Sequence, residues 1–523
     1  MLYRQGWQGR QKGFHSLVVV LSGACLLLGS CVNGNHEPSE AELSAFGVYV
    51  NSIDTIWLEH CLDSILKTDT LAWEGVKVVR EHYAEGDFSD KPLWFSRMGV
   101  QPDADTLLNF LRRELPRQGL DSTAFFIPQI VEDLSIVHHL SFDSLGISIN
   151  EVLPRLDYHL TMAYVRYTIG QRYGYVRPDR MFNRMDFMMN RNEYVRLFDY
   201  EVKAPEYQEA LQKLFSDDRI NYLEASQPSG RLYRVLQEQL EKTSDKEARH
   251  TLAVNMERCR WQTKQPDENG RQVLVNIPAL QLWAVGGDSV LNMKIVCGAT
   301  TTKTPLLHSE IRYMQVNPEW LIPKNIIDNE VAHRGGDSAY FARNRYFIVD
   351  RSSGDTLNPG KVSAEQLRSG RLRVGQKGGV GNSLGRIVFR FPNRFDVYLH
   401  DTSNRGAFNR DRRTLSHGCV RVQKPFDLAC YLLPESDEWF LDRLRISMDI
   451  PPETTRGREY LREHAEDPRP FRLVTTQHIS PNVPVYIMYY TVYPNPSTGL
   501  IETWPDLYGY DKAISRAAKS FLL

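Results

Sequence analysis

Hydrophobic residues follow a helical period through the first half of the chain. One stripe stops before Gly119 and consists of Leu107, Leu108, Leu111 and Leu115. A second stripe follows the turn sequence Pro228-Ser229-Gly230 and consists of Leu232, Val235, Leu236 and Leu240. Spacings of three and four residues place side chains on one face of a helix, so both stripes predict buried helix faces. Residues 43–262 are therefore expected to form a mainly helical domain.

Beyond Asn269 the period changes from helical to alternating. Apolar and polar residues alternate in three stretches, which are Val273–Ile277, Leu291–Ile295 and Ile387–Phe391. Alternation with a period of two predicts strands. The late stretch Val483–Val492 is also β-prone and is expected to return to the same sheet. The fold class predicted is α+β, with a β-rich domain over residues 270–515 after the helical one.

A segment rich in Gly, Asn and Arg, about residues 328–381, lies between two of these β-rich blocks and has few apolar runs. Connections of this length are uncommon unless they are functional or disordered. The segment is either a surface excursion or a mobile cap over a site, and we favour the cap.

Composition and charge narrow the class of protein. The chain has 523 residues, 42% of them hydrophobic, so it must bury a core. Its 63 Lys and Arg residues and 64 Asp and Glu residues give a net charge of -1. Nucleic-acid binders normally carry a basic excess, so no nucleic-acid partner is expected.

The beginning of the chain predicts export. Arg4, Arg10 and Lys12 precede an apolar stretch, Leu17–Gly29, whose 13 residues are too few to span a membrane. The next residues, Leu28-Gly29-Ser30-Cys31, resemble the lipobox of bacterial lipoproteins. Residues 1–30 are then a signal peptide, Cys31 the lipidated residue and 31–42 a tether, with the protein anchored in the cell envelope facing the periplasm. An ordinary cleaved signal peptide is the alternative, and Cys25 is a weaker lipidation candidate.

An odd number of cysteines remains after Cys25 and Cys31 are set aside: Cys61, Cys259, Cys297, Cys419 and Cys430. In an exported protein this leaves at least one free thiol, either buried and inert or kept for chemistry. No C-x-x-C pair is present, so zinc-ribbon and thioredoxin-type motifs are absent.

The segment from Val397 to Val422 contains the candidate catalytic residues. His400 ends a predicted strand, with its ring on the face opposite the aliphatic residues Val397 and Leu399. A loop of 15 residues, Asp401–Leu415, separates it from Ser416-His417-Gly418-Cys419. A histidine in this position can reach a pocket beside the cysteine.

These residues offer what a cysteine acyltransferase requires. Cys419 would attack a carbonyl and His400 would take its proton. The backbone or the side chain of Asp401 would orient the imidazole, and amides around Gly418 and Cys419 would face the oxyanion. Gly418 would permit the close backbone approach.

The S-H-G-C sequence, preceded by a histidine and a spacer of about 15 residues, resembles the signature of the L,D-transpeptidase (YkuD-type) catalytic domain. Further matching segments are Asn255–Trp261, Thr304-Pro305, Asn317–Pro323, Gly381–Gly385, Phe391–Asn393 and Asp506–Asp511. Tyr83 and Pro92-Leu93-Trp94 resemble the helical scaffold domain of large Gram-negative members. The likeness covers most of residues 80–515.

The resemblance implies roles for individual residues. Cys419 is the nucleophile and His400 the base, while His417 and Gly418 frame the oxyanion site. Arg421 orients the pocket or a substrate carboxylate, and Ser416 holds the loop by hydrogen bonds. A thiol pKa depressed by His400 is expected. No metal or organic cofactor is implied.

The implied substrates are peptidoglycan stem peptides. Cys419 would attack the carbonyl at the L-centre of the third stem residue and release D-alanine, and the thioester would pass to an amine to form a 3-3 cross-link. Water as acceptor would give L,D-carboxypeptidase activity, and a protein lysine or D-amino acid would give anchoring or exchange. The sugar-binding module of many large members has no recognisable counterpart.

Other interpretations of the same residues stay open. His400, His417 and Cys419 could bind zinc, but no fourth ligand is evident and the thiolate would be consumed. The fold could also serve as a non-catalytic envelope scaffold that binds peptidoglycan. Four arginines form either a solvated loop or a surface that attracts substrate carboxylates: Arg405, Arg410, Arg412 and Arg413.

Overall fold

The computed structural model describes residues 55–68, 75–84, 92–96, 99–189, 192–286 and 290–523. The expected signal peptide, the tether and Cys31 lie outside these residues. The chain forms two compact units. One holds the residues up to Arg172 with Pro205–Gln227 and Leu523, and the other holds Tyr173–Ala204 and Pro228–Leu522.

The α-helices of the described residues are α1 (Thr55–Thr68), α2 (Gly75–Ala84), α3 (Pro102–Arg117), α4 (Ile127–His138), α5 (Phe142–Leu145), α6 (Ile149–Tyr173), α7 (Pro178–Phe182), α8 (Tyr207–Leu214), α9 (Arg219–Ala225), α10 (Arg231–Lys242), α11 (Lys246–Arg260), α12 (Lys324–Ile326), α13 (Ser338–Arg343), α14 (Ala364–Arg368), α15 (Pro425–Leu432), α16 (Glu438–Ser447), α17 (Thr455–Glu463) and α18 (Tyr510–Ala517). A π-helical turn, Ile327–Val331, follows α12.

The strands are β1 (Phe95–Ser96), β2 (Gly99–Val100), β3 (Phe187–Met188), β4 (Glu193–Tyr194), β5 (Gln272–Asn276), β6 (Gln281–Val285), β7 (Leu291–Gly298), β8 (Leu307–Val316), β9 (Trp320–Leu321), β10 (Tyr346–Asp350), β11 (Thr356–Leu357), β12 (Leu372–Gln376), β13 (Ile387–Arg390), β14 (Leu399–His400), β15 (Thr414–Ser416), β16 (Val420–Val422), β17 (Thr476–Met488), β18 (Val492–Pro494) and β19 (Ile501–Thr503).

The first unit is helical, as the leucine pattern predicts. Helix α3 begins with Pro102, and the acidic residues Asp103 and Asp105 in its first turn favour the positive end of the helix dipole. All four leucines of the first stripe are buried. Helix α6 is buried over most of its length and carries Asp157, whose carboxylate accepts hydrogen bonds from the amides of Leu93 and Trp94 at 2.9 and 2.8 Å.

The second unit is built on a closed sheet. Its nine strands run in the order β15-β7-β16-β14-β13-β8-β17-β5-β6, and β6 pairs back with β7. Strand β17 pairs with β5 and β8, which confirms the expectation that the late β-prone stretch returns to the sheet. The α+β fold class is confirmed. Strands β5 and β13 are buried on both faces for most of their length, although their sequences alternate.

Residues 320–376 form a small insertion of short helices and an antiparallel sheet rather than a loop. Four strands run in the order β11-β10-β12-β9. A core of its own holds the insertion together: Ile322, Ile326, Ile327, Val331, Ala332, Phe341, Ile348, Val362, Leu367, Leu372 and Val374. The sequence suggested few apolar runs because most of these residues occur singly or in pairs, and the longer runs, Ala339–Ala342 and Tyr346–Val349, are only four residues long. The mobile-cap interpretation of residues 328–381 stays a prediction, now attached to a folded element.

The boundary between the two units differs from the predicted domain limit. Helices α10 and α11, expected in the helical domain of residues 43–262, belong to the unit that holds the closed sheet. In the second stripe, Leu236 and Leu240 are fully buried against residues that include Tyr233 and Val492. The five cysteines of the described residues are all free thiols.

Candidate active site

The pairing of two short strands sets the frame of the site. Strand β14 pairs in parallel with β16, with Leu399 opposite Val420 and His400 opposite Arg421. Opposed residues of parallel strands project to the same face, and so do residues two apart in a strand. Tyr398 and Cys419 therefore lie on the same face as His400 and Arg421. With strands ~4.8 Å apart and a two-residue rise of ~6.6 Å, the Cα atoms of His400 and Cys419 lie roughly 8 Å apart.

The His400 imidazole is buried and held by backbone carbonyls. His400 is only 4% exposed, and its Nδ1 lies 2.5 Å from the carbonyl oxygen of Asp401. Burial lowers the pKa of His400 to about 3, with the positive charges of Arg421 and Arg390 adding to the effect. The ring is therefore neutral at pH 7. Donation from Nδ1 to the carbonyl leaves Nε2 as the nitrogen that can accept a proton.

Asp401 orients the imidazole through its backbone and not through its carboxylate. The carboxylate accepts hydrogen bonds from the amide of Arg386 at 2.8 Å and from Nη1 of Arg405 at 2.9 Å. Of the two alternatives that the sequence left open, the structure selects the backbone carbonyl. The side chain of Asp401 braces the strand and makes no part of an oxyanion pocket.

Cys419 is a half-buried free thiol. Its Sγ donates to the carbonyl of Asp396 at 3.7 Å and is hydrogen-bonded to the Tyr398 hydroxyl. Burial raises the pKa of the Cys419 thiol to about 11, against the smaller opposing effects of Tyr398, Arg390 and Arg421. The expectation of a depressed thiol pKa is therefore wrong for this state, because desolvation outweighs the nearby positive charges. At pH 7 both the thiol and the imidazole are neutral.

The turn before Cys419 is fixed by Ser416. Its hydroxyl donates to the carbonyl of Cys419 at 2.6 Å and accepts from the amide of Gly418 at 3.2 Å, which is the structural part predicted for it. Gly418 has a φ of 122°, a conformation that favours glycine. A Cβ there would meet no atom closer than 3.8 Å, so the need for glycine is conformational and not a matter of close approach. The Gly418 amide already donates to Ser416. Of the two amides predicted to face the oxyanion, that of Cys419 therefore remains as the donor.

Arg421 offers a positive charge beside the thiol. Its Nε is buried and has no hydrogen-bond partner in the described part of the chain. Burial also lowers the pKa of this guanidinium. A buried donor without a partner is costly, and a carboxylate is the group that a guanidinium binds best. The position fits the predicted role in carboxylate recognition.

Two residues of the site were missed by sequence reasoning. Tyr398 contacts the thiol, and its ring centroid lies 5.7 Å from that of His400. Arg390 lies over the Tyr398 ring, with Cζ 4.3 Å from the centroid, and its Nε donates to Gln315 at 3.1 Å. Tyr398 could have been found, since it shares a strand face with His400. Arg390 comes from β13, which no local motif connects with the cysteine.

His417 is turned toward the insertion. Its Nε2 lies 2.7 Å from Oε1 of Glu330, and the two side chains are 45% and 52% exposed. The side chain therefore contacts the insertion, whereas the resemblance implied that His417 frames the oxyanion site. No sequence signal pointed to Glu330.

Two of the four arginines in the loop make hydrogen bonds that hold the structure, and the other two are exposed. Arg405 binds Asp401, and Arg413 is buried and donates to the carbonyls of Ile295 and Leu280 at 3.1 and 3.2 Å. These two are structural. Arg410 and Arg412 are exposed, so the interpretation as a surface for carboxylates now rests on them alone.

The described residues offer neither a metal site nor a membrane-spanning helix. No group of three or more His, Cys, Asp or Glu side chains there is arranged to hold a metal ion. None of the helices described has the length and apolar character needed to cross a membrane.

Comparisons with known proteins agree with this geometry. Residues 270–439 match the model of the YkuD L,D-transpeptidase catalytic domain, and residues 77–240 match that of a scaffold domain. A Haemophilus influenzae protein that carries the provisional name of L,D-transpeptidase is 30% identical over 373 residues. The alignment covers 68% of this chain and 70% of that protein.

Proposed function

The chain belongs to the L,D-transpeptidase family, with a YkuD-type catalytic domain and a scaffold domain, and from this premise we propose that it is a cysteine acyltransferase that forms 3-3 cross-links between peptidoglycan stem peptides. The observation that carries the proposal is the parallel register of β14 and β16. It supports a site in which thiol, imidazole and guanidinium share one face of the sheet.

In the first step the thiol attacks as its proton leaves. Sγ of Cys419 bonds to the carbonyl carbon of the third stem residue, at its L-centre, while Nε2 of His400 accepts the thiol proton. Because the thiol pKa is about 11 and the imidazole pKa about 3, transfer before attack is unfavourable and must accompany it. The S–H group donates to Asp396 at rest, so it turns from that carbonyl before the transfer.

Collapse of the tetrahedral adduct releases D-alanine. The imidazolium returns its proton to the departing amine, and a thioester on Cys419 remains. The Cys419 amide stabilises the oxyanion from within the same turn. Arg421 binds a carboxylate of the donor stem, which satisfies its buried Nε.

In the second step an amine of a neighbouring stem attacks the thioester. Nε2 of His400 takes a proton from the attacking nitrogen and gives it to the departing sulfur, so the free thiol is restored. The product is an amide between two third residues. Water in place of the amine gives a tripeptide, the L,D-carboxypeptidase reaction. No group outside the chain and its substrates is needed for these steps.

We also propose that the protein acts on the periplasmic side of the envelope as a lipoprotein. The support is the sequence alone, through the basic, apolar and small-residue regions before Cys31. A Cys31→Ala variant tests this part, because it should lose metabolic labelling by a palmitate analogue while Cys25→Ala keeps it.

The main proposal is tested with purified tetrapeptide muropeptides and mass analysis of the products. Wild type should release D-alanine and form tripeptide and cross-linked dimer, and Cys419→Ala should form neither. Cys430→Ala is the matched control, since it removes another partly buried free thiol. Unchanged tetrapeptide with wild type would contradict the proposal and favour the alternative of a non-catalytic envelope scaffold.

A further inference from the structure

A carboxylate of the insertion lies at the turn that carries the nucleophile. Glu330 contacts His417, two residues before Cys419, through the 2.7 Å approach of Oε1 to Nε2. Glu330 belongs to the π-helical turn, in which Ile327 and Val331 are buried in the core of the insertion. The carboxylate itself is half-exposed. The turn that carries it is fixed by the buried side chains of Ile327 and Val331 on either side.

The surroundings of Glu330 suit a cation. A carboxylate has two oxygens with several lone pairs, and the bond to His417 uses Oε1. The half-buried ring of Tyr346 is close enough for the charge of Glu330 to contribute to the raised pKa of its phenol, although burial is the larger cause. Aromatic faces and carboxylates together attract ammonium groups.

The site thus contains two side chains of opposite charge, Arg421 and Glu330. Arg421 lies in register with His400 and has a buried, unpartnered Nε that fits a carboxylate of the donor. Glu330 supplies the opposite sign, and it comes from the insertion and not from the strands that carry the reacting groups. A carboxylate of the donor and an ammonium group of the acceptor can therefore be bound by different residues near Cys419.

We propose that Glu330 binds the ammonium group of the acceptor and brings it to the thioester on Cys419. The inference rests on the proposed function and adds the residue that binds the acceptor, a carboxylate supplied by the insertion. Glu330 is a binding and positioning residue, and His417 keeps its carboxylate directed toward the turn.

The step is balanced as follows. The bound ammonium first loses one proton to solvent, and the resulting amine bonds to the thioester carbon. Nε2 of His400 accepts a second proton from the attacking nitrogen, the C–S bond breaks, and the sulfur takes that proton from the imidazolium. One amide, one thiol and one released proton result, with no change of oxidation state.

The test compares Glu330→Gln with wild type on the same tetrapeptide muropeptide. The measured quantity is the ratio of cross-linked dimer to hydrolysed tripeptide, together with D-alanine release. We expect the ratio to fall about tenfold, since one half-exposed ion pair with the acceptor is lost, and D-alanine release to fall far less. Glu365→Gln is the control, because it makes the same change at an exposed residue of the insertion.

A neutral acceptor separates binding from support of the turn. With hydroxylamine, hydroxamate formation by Glu330→Gln should follow D-alanine release, because a neutral nucleophile does not need the carboxylate. Glu330→Asp should recover part of the dimer ratio. An unchanged ratio, or equal losses of dimer, hydroxamate and D-alanine release, would overturn the inference while leaving the proposed function intact. Absence of D-alanine release from wild type would instead overturn both.

Discussion

Gly385 packs directly against the side chain of Asp401. A Cβ on Gly385 would lie 2.4 Å from Oδ2 and 2.5 Å from Cβ of Asp401, and the φ of Gly385 is 65°. Asp401 in turn holds Nδ1 of His400 through its carbonyl. A residue 15 positions before His400 therefore governs where the imidazole lies.

Replacement of Gly385 by alanine should disturb this arrangement. We expect Gly385→Ala to lower the free energy of unfolding by about 1–3 kcal/mol, through the positive φ and the clash with Asp401, and to reduce D-alanine release. Urea denaturation and the tetrapeptide assay measure the two effects. Gly381→Ala is the control, because Gly381 also has a positive φ, 79°, but open space around it. Equal losses of stability and activity in both variants would contradict the role of the Asp401 contact.

The pKa of His400 predicts a dependence of stability on pH. The folded value is about 3 and the ordinary value is 6.5, so between them the unfolded chain binds a proton that the folded chain does not. Stability must therefore fall as pH falls below 6.5, by roughly 1.4 kcal/mol per pH unit from this group. Between pH 6.5 and 4.5 wild type should lose roughly 2–3 kcal/mol more than His400→Gln in chemical denaturation. Parallel pH profiles would show that His400 is not buried in its neutral form.

Arg421 should contribute to donor binding more than to thiol reactivity. Arg421→Met should raise the apparent KM for the tetrapeptide by about 10- to 100-fold, as expected for loss of one charge-assisted hydrogen bond with a carboxylate. Alkylation of Cys419 by the neutral reagent iodoacetamide should change little. Arg412→Met, an exposed residue of the neighbouring loop, serves as control. A variant with normal KM would remove Arg421 from the carboxylate site.

The Tyr398 hydroxyl should ease ionisation of the thiol. Its hydrogen bond to Sγ opposes the effect of burial on the Cys419 pKa. Tyr398→Phe should therefore raise the thiol pKa further and slow alkylation at pH 8 several-fold. A rise of one unit in the thiol pKa would slow it about tenfold. The pH dependence of iodoacetamide alkylation measures it. Faster alkylation in Tyr398→Phe would mean that the hydroxyl acts mainly by shielding the sulfur from the reagent.

Local patterns in the sequence predicted much of this molecule. The leucines of α3 and the alternating residues of β13 follow from periodicity, which depends only on near neighbours. Cys419, His400 and Arg421 lie within one segment of 22 residues, so their order and spacing pointed to one site. The hydrogen bonds of Ser416 within the turn also followed from its position next to His417 and Gly418.

Features that depend on distant parts of the chain could not be predicted in the same way. Glu330 and Arg390 approach the turn only because the insertion and β13 fold against it, and no local spacing encodes that contact. The insertion was taken for a loop because its apolar runs are short, such as the four residues Tyr346–Val349. The sign of the Cys419 pKa shift was missed because burial, which a sequence does not reveal, outweighs neighbouring charge.

The central claim, that Cys419 carries the acyl group, is tested most directly by mass spectrometry of the trapped thioester. The protein is mixed with excess tetrapeptide, quenched in acid within seconds, and digested. The account predicts a tripeptide adduct on the peptide containing Cys419, much reduced in His400→Gln and unaffected in Cys430→Ala. An adduct on another residue, or D-alanine release from Cys419→Ala at the wild-type rate, would contradict it.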